Sequence, residues 1–584
     1  MTVPQRAIHS IKTGEHFDAI VIGGGINGIA TYRDLSLQGL NVLLIEKDDF
    51  CSKASAAPSR MIHGGLRYLE NAEFDLVKES LNERNRLLKN APHLVHPLQT
   101  HIPLTSWLKG IVPASLRFLG LEPKTSERGA LIVKLGLGLY DFFTRRDQVM
   151  PNHQMFGKKQ TKSRWPLFDS NVYCSAAYYD AWISSPERLA IELLKEGDET
   201  QGQPHALNYT LALVQGDGSI ELVDQLTDHT THVTTTQLIN ATGAWIDNVN
   251  HQAGNPTQYL SNTKGSHIIV DHPDLLSALK GDMVYYENKE NRVCIMFPYL
   301  GKVLIGSTDI PVTQPDNIRC TDEEVSYIIE SVRAIFPTVV IHPSDILYQF
   351  SGIRPLGAAT KASAGQIPRS HVTQIDHLFN GTITCYSMIG GKWTTFRAFA
   401  EEVVNQVLNN LNTKRRVGTQ DRIIGGGQGF PKSPQERAQY VQHLSELYQQ
   451  SHSYTALLVS RYGTECEAIL THLQSNGFKP LLTLPHYTEG ELEYLMKHEC
   501  VQLPLDLIQR RTSIAIEGSL HDNVLQEIID LMSRFFQWDE SARLRIHGET
   551  VNSLNFYNGL QLTPVGEPTE MTPKTARKAH YVYE

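Results

Sequence analysis

Three glycines near the N-terminus form the first pattern with a chemical meaning. Gly23, Gly25 and Gly28 follow the apolar run 17–22 with the spacing G-x-G-x-x-G. The first glycine permits a tight turn, the second lets the backbone approach a pyrophosphate, and the third lets helix and strand pack closely. Glu46 stands 18 residues after Gly28, where a carboxylate accepts hydrogen bonds from an adenosine ribose. The set predicts a dinucleotide site without separating FAD from NAD.

The elements around these residues predict a β-α-β unit. The run 17–22 is typical of a buried parallel strand, 28–38 of a helix and 41–45 of a second strand. The N-terminus of the helix would offer free N–H groups and the positive end of its dipole to a pyrophosphate. Glycine-rich turns alone are common. The strand, turn, helix, strand and terminal acid in register favour a nucleotide site over a structural turn.

The segment 47–71 has small side chains and no sustained periodicity. We predict that it contacts the ligand, because a long irregular segment after a nucleotide-binding unit is usually functional. Ser55 and Ser59 would let backbone amides come close, and Gly64-Gly65 would let the chain pass beside a flat ring. A surface loop that happens to be rich in Ala and Ser is the alternative.

Glycines return later, at the ends of predicted strands. An apolar strand runs into Thr242 and Gly243, which predicts a return to the first sheet. Gly390, Gly391 and Lys392 open a predicted helix, which is a favourable place for negative charge.

Other polar residues also border predicted strands. The run 264–267 precedes a strand at 268–270, and Arg354 follows a strand at 345–350. Arg369 comes 15 residues after Arg354. The alternation of β-rich stretches with returns to the first sheet predicts two interleaved layers that share one cleft.

Length and composition limit the class of protein. The 584 residues are too many for one core, and 41% apolar with 20% charged residues exclude global disorder. The net charge of −9 argues against nucleic acid as the main partner. The seven cysteines are scattered without a C-x-x-C pair, which predicts reduced thiols in a cytosolic compartment and no metal site. With no signal-peptide core and no long apolar run, we expect no membrane span.

Residues 101–164 depart from this acidic average. They hold 11 Lys and Arg against 4 Asp and Glu, interleaved with aromatic and aliphatic side chains. Such a segment suits an anionic membrane surface, on which it would lie without crossing. An internal helix with a solvated basic flank is the equal alternative.

The strand signal disappears from residue 428 onward. The sequence therefore predicts a lead-in over 1–16, an interleaved two-layer unit over 17–427 and a helical domain over 428–584. The expected helices of the last domain are 433–450, 463–474, 488–499, 523–537 and 539–550.

The ordered motifs resemble one enzyme family. They are GGGINGIA, HGGLRYLE, NATGAWIDN, KGSHIIV, IGSTDI, SGIRPL and GGKWTTFR. This set resembles the FAD-dependent, quinone-linked glycerol-3-phosphate dehydrogenases and the related α-glycerophosphate oxidases, over about residues 17–410 and again in the C-terminal part. The resemblance implies an α/β fold with a glutathione-reductase-type, Rossmann-like FAD-binding domain interleaved with a β-rich substrate domain, plus an all-α C-terminal domain.

The resemblance also implies an activity. We expect FAD held non-covalently and oxidation of sn-glycerol 3-phosphate to dihydroxyacetone phosphate, with hydride transfer from C2 to flavin N5. Quinone would accept the electrons, and the protein would lie in the cytoplasm as a peripheral protein on the inner face of the cytoplasmic membrane. Nucleic acid is not an expected partner, and a homodimer is left open.

The substrate contacts follow from this resemblance and from the charge of a phosphorylated alcohol. Arg354, Arg369 and Lys392 would bind the phosphate dianion, because guanidinium and ammonium groups are its usual partners. Arg67 and Tyr68 match family positions that line the active site.

A base must take the proton of the C2 hydroxyl. His267, in the KGSH motif, is the expected base because an ordinary histidine pKa near 6.5 suits the task. His63 is its rival, although its place in the HGG turn favours contact with the flavin ring. The expected cofactor contacts are Gly23, Gly25, Gly28, Glu46, Ser55, Ser59, Arg60, His63, Gly64, Gly65, Thr242, Gly243, Gly390, Gly391 and Lys392.

Two departures from the family pattern lie beside the expected flavin. The chain has Ala57-Pro58-Ser59-Arg60 where the family usually has Ser-Ser-Lys. Proline removes an amide donor and arginine alters the hydrogen-bonding fork, which leaves room for another polyol phosphate, such as a four-carbon one. The short spacing from Arg354 to Arg369 lacks the insertion common in the oxidases and favours quinone over oxygen. An oxidase, or a flavin-bound scaffold without turnover, remains the alternative.

Overall fold

The computed structural model describes residues 7–71, 73–105, 130–145, 147–202, 205–288, 290, 292–358 and 370–565. A nucleotide-binding sheet and a larger β-rich layer alternate along the chain, and a helical region follows them. This architecture confirms the predicted fold class.

The nucleotide-binding sheet consists of short strands. In the described residues its order is Val372–Leu378, Ile383–Ile389, Gln237–Asn240, Ala19–Ile22, Val42–Ile45 and Ala206–Leu207. Only the first pair of neighbours in this described set is antiparallel, and the others are parallel. Ala19–Ile22 is buried at every position, because a parallel sheet is covered on both faces.

A small antiparallel unit and a large sheet complete the β structure. The small unit contains Glu15–Phe17, Thr230–Thr235, Ile220–Asp224 and Thr210–Val214, the first of which pairs parallel. The large sheet contains Ile310–Pro311, Leu260–Val270, Lys302–Gly306, Val293–Tyr299, Met283–Glu287, Val95–Leu104, Cys174–Ile183 and Met61–Ile62, with Ile346–Gly357 and Gln154–Phe156 at its side.

Two strands of the large sheet are longer than the sequence predicted. Leu260–Val270 pairs antiparallel with Ile346–Gly357 along most of its length. His267 and Arg354 therefore lie inside long strands, and the expectation that they border shorter ones was wrong.

Helix Ile26–Leu37 lies close to the predicted helix 28–38, whereas helix Pro186–Gln201 was not predicted. Helix Ile26–Leu37 packs between Pro186–Gln201 and Phe396–Asn410 against the nucleotide-binding sheet. The other described helices of this part are Phe74–Asn90, Ala130–Thr144, Lys158–Arg164, Ile246–Gln252, Pro273–Leu279 and Asp322–Arg333.

The helical region contains one long helix that was not predicted, His452–Tyr462. Its described elements are Pro434–Tyr448, His452–Tyr462, Cys466–Asn476, Glu489–His498, Pro504–Asp506, the π-helical turn Leu507–Arg511, Asp522–Phe536 and Glu540–Asn558. One apolar cluster joins Phe297 and Phe350 of the large sheet to Leu458 and Ile508 of these helices. The helical region thus packs directly on the β-rich layer, while the domain boundary at residue 428 stays a prediction.

No helix in the described ranges is both long enough and apolar enough to cross a bilayer.

Candidate active site

The glycine turn after Ala19–Ile22 is built so that side chains cannot enter it. Gly23 has a φ of +112°, and a Cβ atom on it would overlap the carbonyl of Ala241. A Cβ atom on Gly28 would overlap the carbonyl of Gly23. The close packing of turn, helix and sheet therefore depends on these two glycines.

Glu46 lies directly against this turn. Its Oε2 accepts a hydrogen bond from the amide of Gly24 at 2.7 Å, and its Oε1 accepts one from the amide of Asp48 at 2.8 Å. Burial, and then the charge of Asp48, raises the pKa of Glu46 to about 6. Because each carboxylate oxygen can accept a second hydrogen bond, the group can still receive ribose hydroxyls.

A single cavity of about 2330 Å³ connects the glycine turn with the polar residues of the large sheet. Such a volume exceeds the roughly 300–1,000 Å³ of ordinary ligand pockets, and it suits a dinucleotide together with a second small molecule. From the nucleotide-binding side its lining includes Gly23, Gly25, Glu46, Ser55, Thr242, Gly243, Gly390 and Gly391. From the other side it includes Ser59, Arg60, His63, Gly65, Tyr68, His267, Arg292, Arg354 and Lys392.

The residues of the nucleotide side fit an FAD molecule. The amide of Ile26 donates to Ser55 Oγ at 2.9 Å, so the serine of the irregular segment sits at the helix N-terminus. Thr242 Oγ1 donates to Asn240 Oδ1 at 2.6 Å, which fixes the Ala-Thr-Gly corner beside the turn. A side-chain-free turn, a half-buried acid and a helix N-terminus are the groups that a pyrophosphate and a ribose need.

The turn at His63–Gly65 is fixed from behind. The amide of Gly64 donates to Asp180 Oδ1 and to the Tyr140 hydroxyl, both at 3.0 Å. Arg84 Nη1 donates to the same Asp180 oxygen at 3.0 Å, and all three side chains are buried. This network presents His63 to the cavity. No local sequence pattern predicts the network, because its members are far apart in the chain.

Arg354 lies at the cavity wall with a carboxylate beside it. Its Nη1 is 3.1 Å from Asp309 Oδ1, and its Nη2 donates to Ser307 Oγ at 3.1 Å. Arg292 approaches the same carboxylate, with Nη2 at 3.4 Å from Asp309 Oδ2 and Nη1 donating to the Asp309 carbonyl at 3.0 Å. Arg292 and Asp309 were not among the predicted site residues. Asp309 could have been found from the sequence, because it lies in the IGSTDI motif.

Lys392 and Tyr68 form a second cationic element of the wall. The ammonium lies 3.7 Å from the centre of the Tyr68 ring and 3.3 Å from Ser80 Oγ. Arg67 is placed by its backbone in the 3₁₀ turn Leu66–Asn71. Arg369 lies outside the described residues, so its role stays a prediction.

His267 differs from its expected chemistry. It stacks on Phe350 with ring centres 5.0 Å apart, and its Nε2 lies 3.0 Å from Ser59 Oγ. Burial, and then the charges of Arg354 and Arg60, lowers the pKa of His267 to about 3. The expectation of an ordinary histidine pKa at this position was therefore wrong, because no carboxylate in the described part of the chain compensates the burial.

Arg60 is held by a partner within the protein. Its two terminal nitrogens each lie 2.7 Å from one oxygen of Glu187, and both side chains are buried. That Arg60 also contacts the cofactor stays a prediction.

Comparisons with known proteins show the family of the chain. The family profile described as FAD dependent oxidoreductase matches residues 18–406, and that of the C-terminal domain of alpha-glycerophosphate oxidase matches residues 417–543. A glycerol-3-phosphate dehydrogenase of Synechocystis sp. is 33% identical over 86% of this chain and 89% of its own. The aerobic glycerol-3-phosphate dehydrogenase of Bacillus subtilis is 27% identical over 93% of this chain and 95% of its own.

A solved structure shares the whole fold. The glycerol-3-phosphate dehydrogenase from Bacillus halodurans, complexed with FAD, matches with a TM-score of 0.72 at 23% identity over 93% of this chain and 96% of its own. Fold and glycine turn together define an FAD-dependent oxidoreductase. The chain belongs to the family of FAD-dependent glycerol-3-phosphate dehydrogenases. It is an enzyme, and FAD is its cofactor.

Proposed function

We propose that the chain oxidises sn-glycerol 3-phosphate to dihydroxyacetone phosphate and passes the electrons to a membrane quinone, with FAD held non-covalently. The observation that carries the substrate proposal is the pair Arg292 and Arg354 around Asp309, in the same cavity as the nucleotide-binding turn. The names of the relatives from Synechocystis and Bacillus subtilis support the same substrate.

Charge supports a phosphorylated substrate. Two guanidinium groups share one carboxylate, Asp309, and the Lys392 ammonium lines the same cavity. The excess positive charge and the planar donor forks suit a phosphate dianion, to which arginine binds through paired N–H groups. A neutral polyol would bring no negative charge to balance the second arginine that shares Asp309.

The proton of the C2 hydroxyl needs an acceptor with a suitable pKa. His267 was the expected base, but its pKa of about 3 makes it a weak proton acceptor at neutral pH. His63 lines the same cavity, is only half-buried, and is held through its backbone by Thr394 Oγ1 at 3.2 Å. We therefore assign the base to His63 and a positioning role to His267. Bound FAD supplies the acceptor for the hydride that leaves C2.

A substrate panel tests this proposal. The FAD-loaded enzyme is assayed with sn-glycerol 3-phosphate, glycerol and a four-carbon polyol phosphate, with a soluble quinone analogue or with oxygen alone. We expect turnover with glycerol 3-phosphate and quinone, and little hydrogen peroxide. Failure of every polyol phosphate would exclude the substrate class. Peroxide formed at the rate of turnover would indicate the oxidase alternative.

Peripheral membrane attachment is supported by helix Ala130–Thr144. Leu131, Leu135, Leu139 and Phe142 follow one another along one face and are 43%, 64%, 41% and 66% exposed. Lys134 on the same helix is exposed as well. An exposed apolar stripe beside cationic side chains suits the interface of an anionic membrane, and residues 106–129 of the predicted segment lie outside the described part.

Vesicle flotation tests the attachment. Leu135→Glu with Phe142→Glu should lower binding to phosphatidylglycerol vesicles about tenfold, because it places charge in the apolar stripe. Leu482→Glu is the matched control, since Leu482 is 88% exposed but lies in the helical region. Equal binding of the double variant and the control would exclude this helix as the attachment site.

A further inference from the structure

A closed ionic cluster joins the helical region to the loop that follows Glu46. Asp49 Oδ2 lies 2.5 Å from Arg510 Nε and 2.7 Å from Arg511 Nη1, and Asp49 Oδ1 lies 2.8 Å from Arg511 Nη2. Asp49 and Arg511 are 0% exposed at their side chains and Arg510 is 7% exposed. Asp506 completes the cluster by accepting from Arg510 Nη2 at 2.8 Å.

The loop held by this cluster follows Glu46, the acid that is predicted to bind the adenosine ribose. The amide of Asp48 donates to Glu46, and the amide of Cys51 donates to the carbonyl of Gly24 at 2.8 Å. Asp49 lies between these two contacts in the chain. A displacement of Asp49 would therefore also shift the contact of Asp48 with Glu46 and the contact of Cys51 with the glycine turn.

A third segment reinforces the same loop. Asn208 Nδ2 donates to Asp49 Oδ1 at 3.0 Å and to the Cys500 carbonyl at 2.8 Å. The next residue, Tyr209, donates through its amide to the Asp48 carbonyl at 2.9 Å and through its hydroxyl to Asp506 at 2.6 Å. Loop, small β unit and helical region are thus linked at one buried point.

We infer that the helical region helps to form the FAD site. Arg510 and Arg511 are positioning residues. Through Asp49, they hold the Glu46–Cys51 loop in the conformation that receives the adenosine half of FAD. Apolar packing would join two regions at less desolvation cost than buried charges, so a buried ionic set indicates a need for defined geometry. Arg–carboxylate pairs supply that geometry, because the planar fork fixes both distance and direction.

Three variants test this role. Asp49→Asn and Arg511→Gln break the cluster, and Arg461→Gln is the matched control. Arg461 also forms a pair with a buried carboxylate, Glu491 Oε1 at 2.9 Å, and is itself 15% exposed, but it stacks on Tyr487 inside the helical region. For each variant we would measure the FAD dissociation constant of the apoprotein by flavin fluorescence, the thermal midpoint of the apoprotein, and KM and kcat at saturating FAD.

We expect Asp49→Asn and Arg511→Gln to raise the FAD dissociation constant about tenfold or more. KM for glycerol 3-phosphate should stay within about threefold, because the change is remote from the phosphate-binding wall. Arg511→Lys should recover part of the affinity, since it keeps the charge without the fork. Arg461→Gln should lower the thermal midpoint but leave FAD affinity nearly unchanged. Unchanged FAD affinity in both cluster variants, or an equal loss in the control, would overturn the inference.

A measurement on the unaltered enzyme covers the case in which the variants do not fold. Coupling between two sites is reciprocal, so FAD must stabilise whatever stabilises FAD binding. Amide hydrogen exchange with and without FAD should show protection both in the Glu46–Cys51 loop and in the Leu507–Arg511 turn. Protection confined to the nucleotide-binding sheet would refute the coupling. Because FAD affinity and amide exchange are both measured without substrate, a failure here is distinct from a failure of the proposed reaction.

Discussion

Asp49 and Asp309 are each shared by two arginines, and the two groups differ in how deeply they are buried. Around Asp49, the side chains are 0–7% exposed and the pairs are closed. Around Asp309, Arg354 is 27% and Arg292 35% exposed, and both line the cavity. Asp49 and Arg510 also border this cavity, but their pairs are closed and hold protein segments together. The more exposed set of Arg292, Arg354 and Asp309, here called the open set, can exchange part of its pairing for an incoming anion.

The same contrast governs protonation. Burial alone would raise the pKa of Asp49, but Arg511 and Arg510 lower it to about 2, so its charge is secure in the physiological range. His267 is buried beside Arg354 and Arg60, which lowers its pKa, whereas His63 is half-buried. Exposure and neighbours, more than residue type, separate the groups that position from those that react.

The largest effect is expected when the open set loses Arg354. Arg354→Ala should lower kcat/KM for glycerol 3-phosphate about 10³–10⁴-fold, because a desolvated phosphate would lose a bidentate partner. Steady-state kinetics at saturating FAD measure this. FAD affinity should not change, which is the reverse of the pattern expected for Arg511→Gln. Near-normal kinetics would remove Arg354 from the substrate site.

A pair of histidine variants sharpens the contrast between half-buried and buried groups. His63→Gln should slow anaerobic flavin reduction about 10²–10³-fold, because general-base catalysis is lost. His267→Gln should slow it less and should leave the acidic limb of the pH–rate profile in place. If His267→Gln alone removes that limb, the base is His267 and our assignment is wrong.

A smaller effect is expected at the second arginine of the open set. Arg292→Gln should raise KM about 10–100-fold with little change in kcat, because Arg354 still holds the phosphate and Asp309. Arg333→Gln is the control, since Arg333 is a half-exposed surface residue paired with Glu330. If the kinetic constants of Arg292→Gln match those of Arg333→Gln, Arg292 does not contribute to substrate binding, and Asp309 acts only through Arg354.

The smallest effect concerns stability against pH. The pKa of His267 falls from 6.5 to about 3 on folding, so the unfolded chain binds one more proton between these values. The stabilising effect of the neutral ring is complete above pH 6.5 and is lost on acidification, by about 1.4 kcal/mol per pH unit. Calorimetry at pH 6 and pH 5 should show a steeper loss for the wild type than for His267→Gln. Parallel losses would show that the ring is not buried in its neutral form.

The local parts of this arrangement could be predicted from the sequence. The turn from Gly23 to Gly28 and the acid at Glu46 belong to one contiguous β-α-β unit, so spacing alone defined them. The strand containing His267 was underestimated because Gly265 resembles a strand breaker. In the structure a Cβ atom on Gly265 would overlap the guanidinium of Arg354, so the glycine marks a close approach inside a long strand.

The two arginine clusters could not be predicted in the same way. Asp49 and Arg511 are separated by 462 positions in the chain, and no local pattern reports such a contact. Burial, which sets the pKa of His267 and separates the two clusters, is likewise a property of the folded molecule. Helix His452–Tyr462 was not predicted, although the sequence has serine, a favoured N-cap residue, at position 451. In the structure Ser451 Oγ accepts a hydrogen bond from the amide of Tyr454 at 3.2 Å.

We assign recognition of the substrate's phosphate to the open set of Arg292, Arg354 and Asp309. Anaerobic stopped-flow reduction of the bound flavin by glycerol 3-phosphate and by glycerol, in the wild type and in Arg354→Ala, tests it most directly. We predict that the wild type prefers the phosphorylated substrate by about 10³-fold or more and that Arg354→Ala loses most of this preference. If the preference for the phosphorylated substrate is unchanged in Arg354→Ala, Arg354 does not recognise the phosphate.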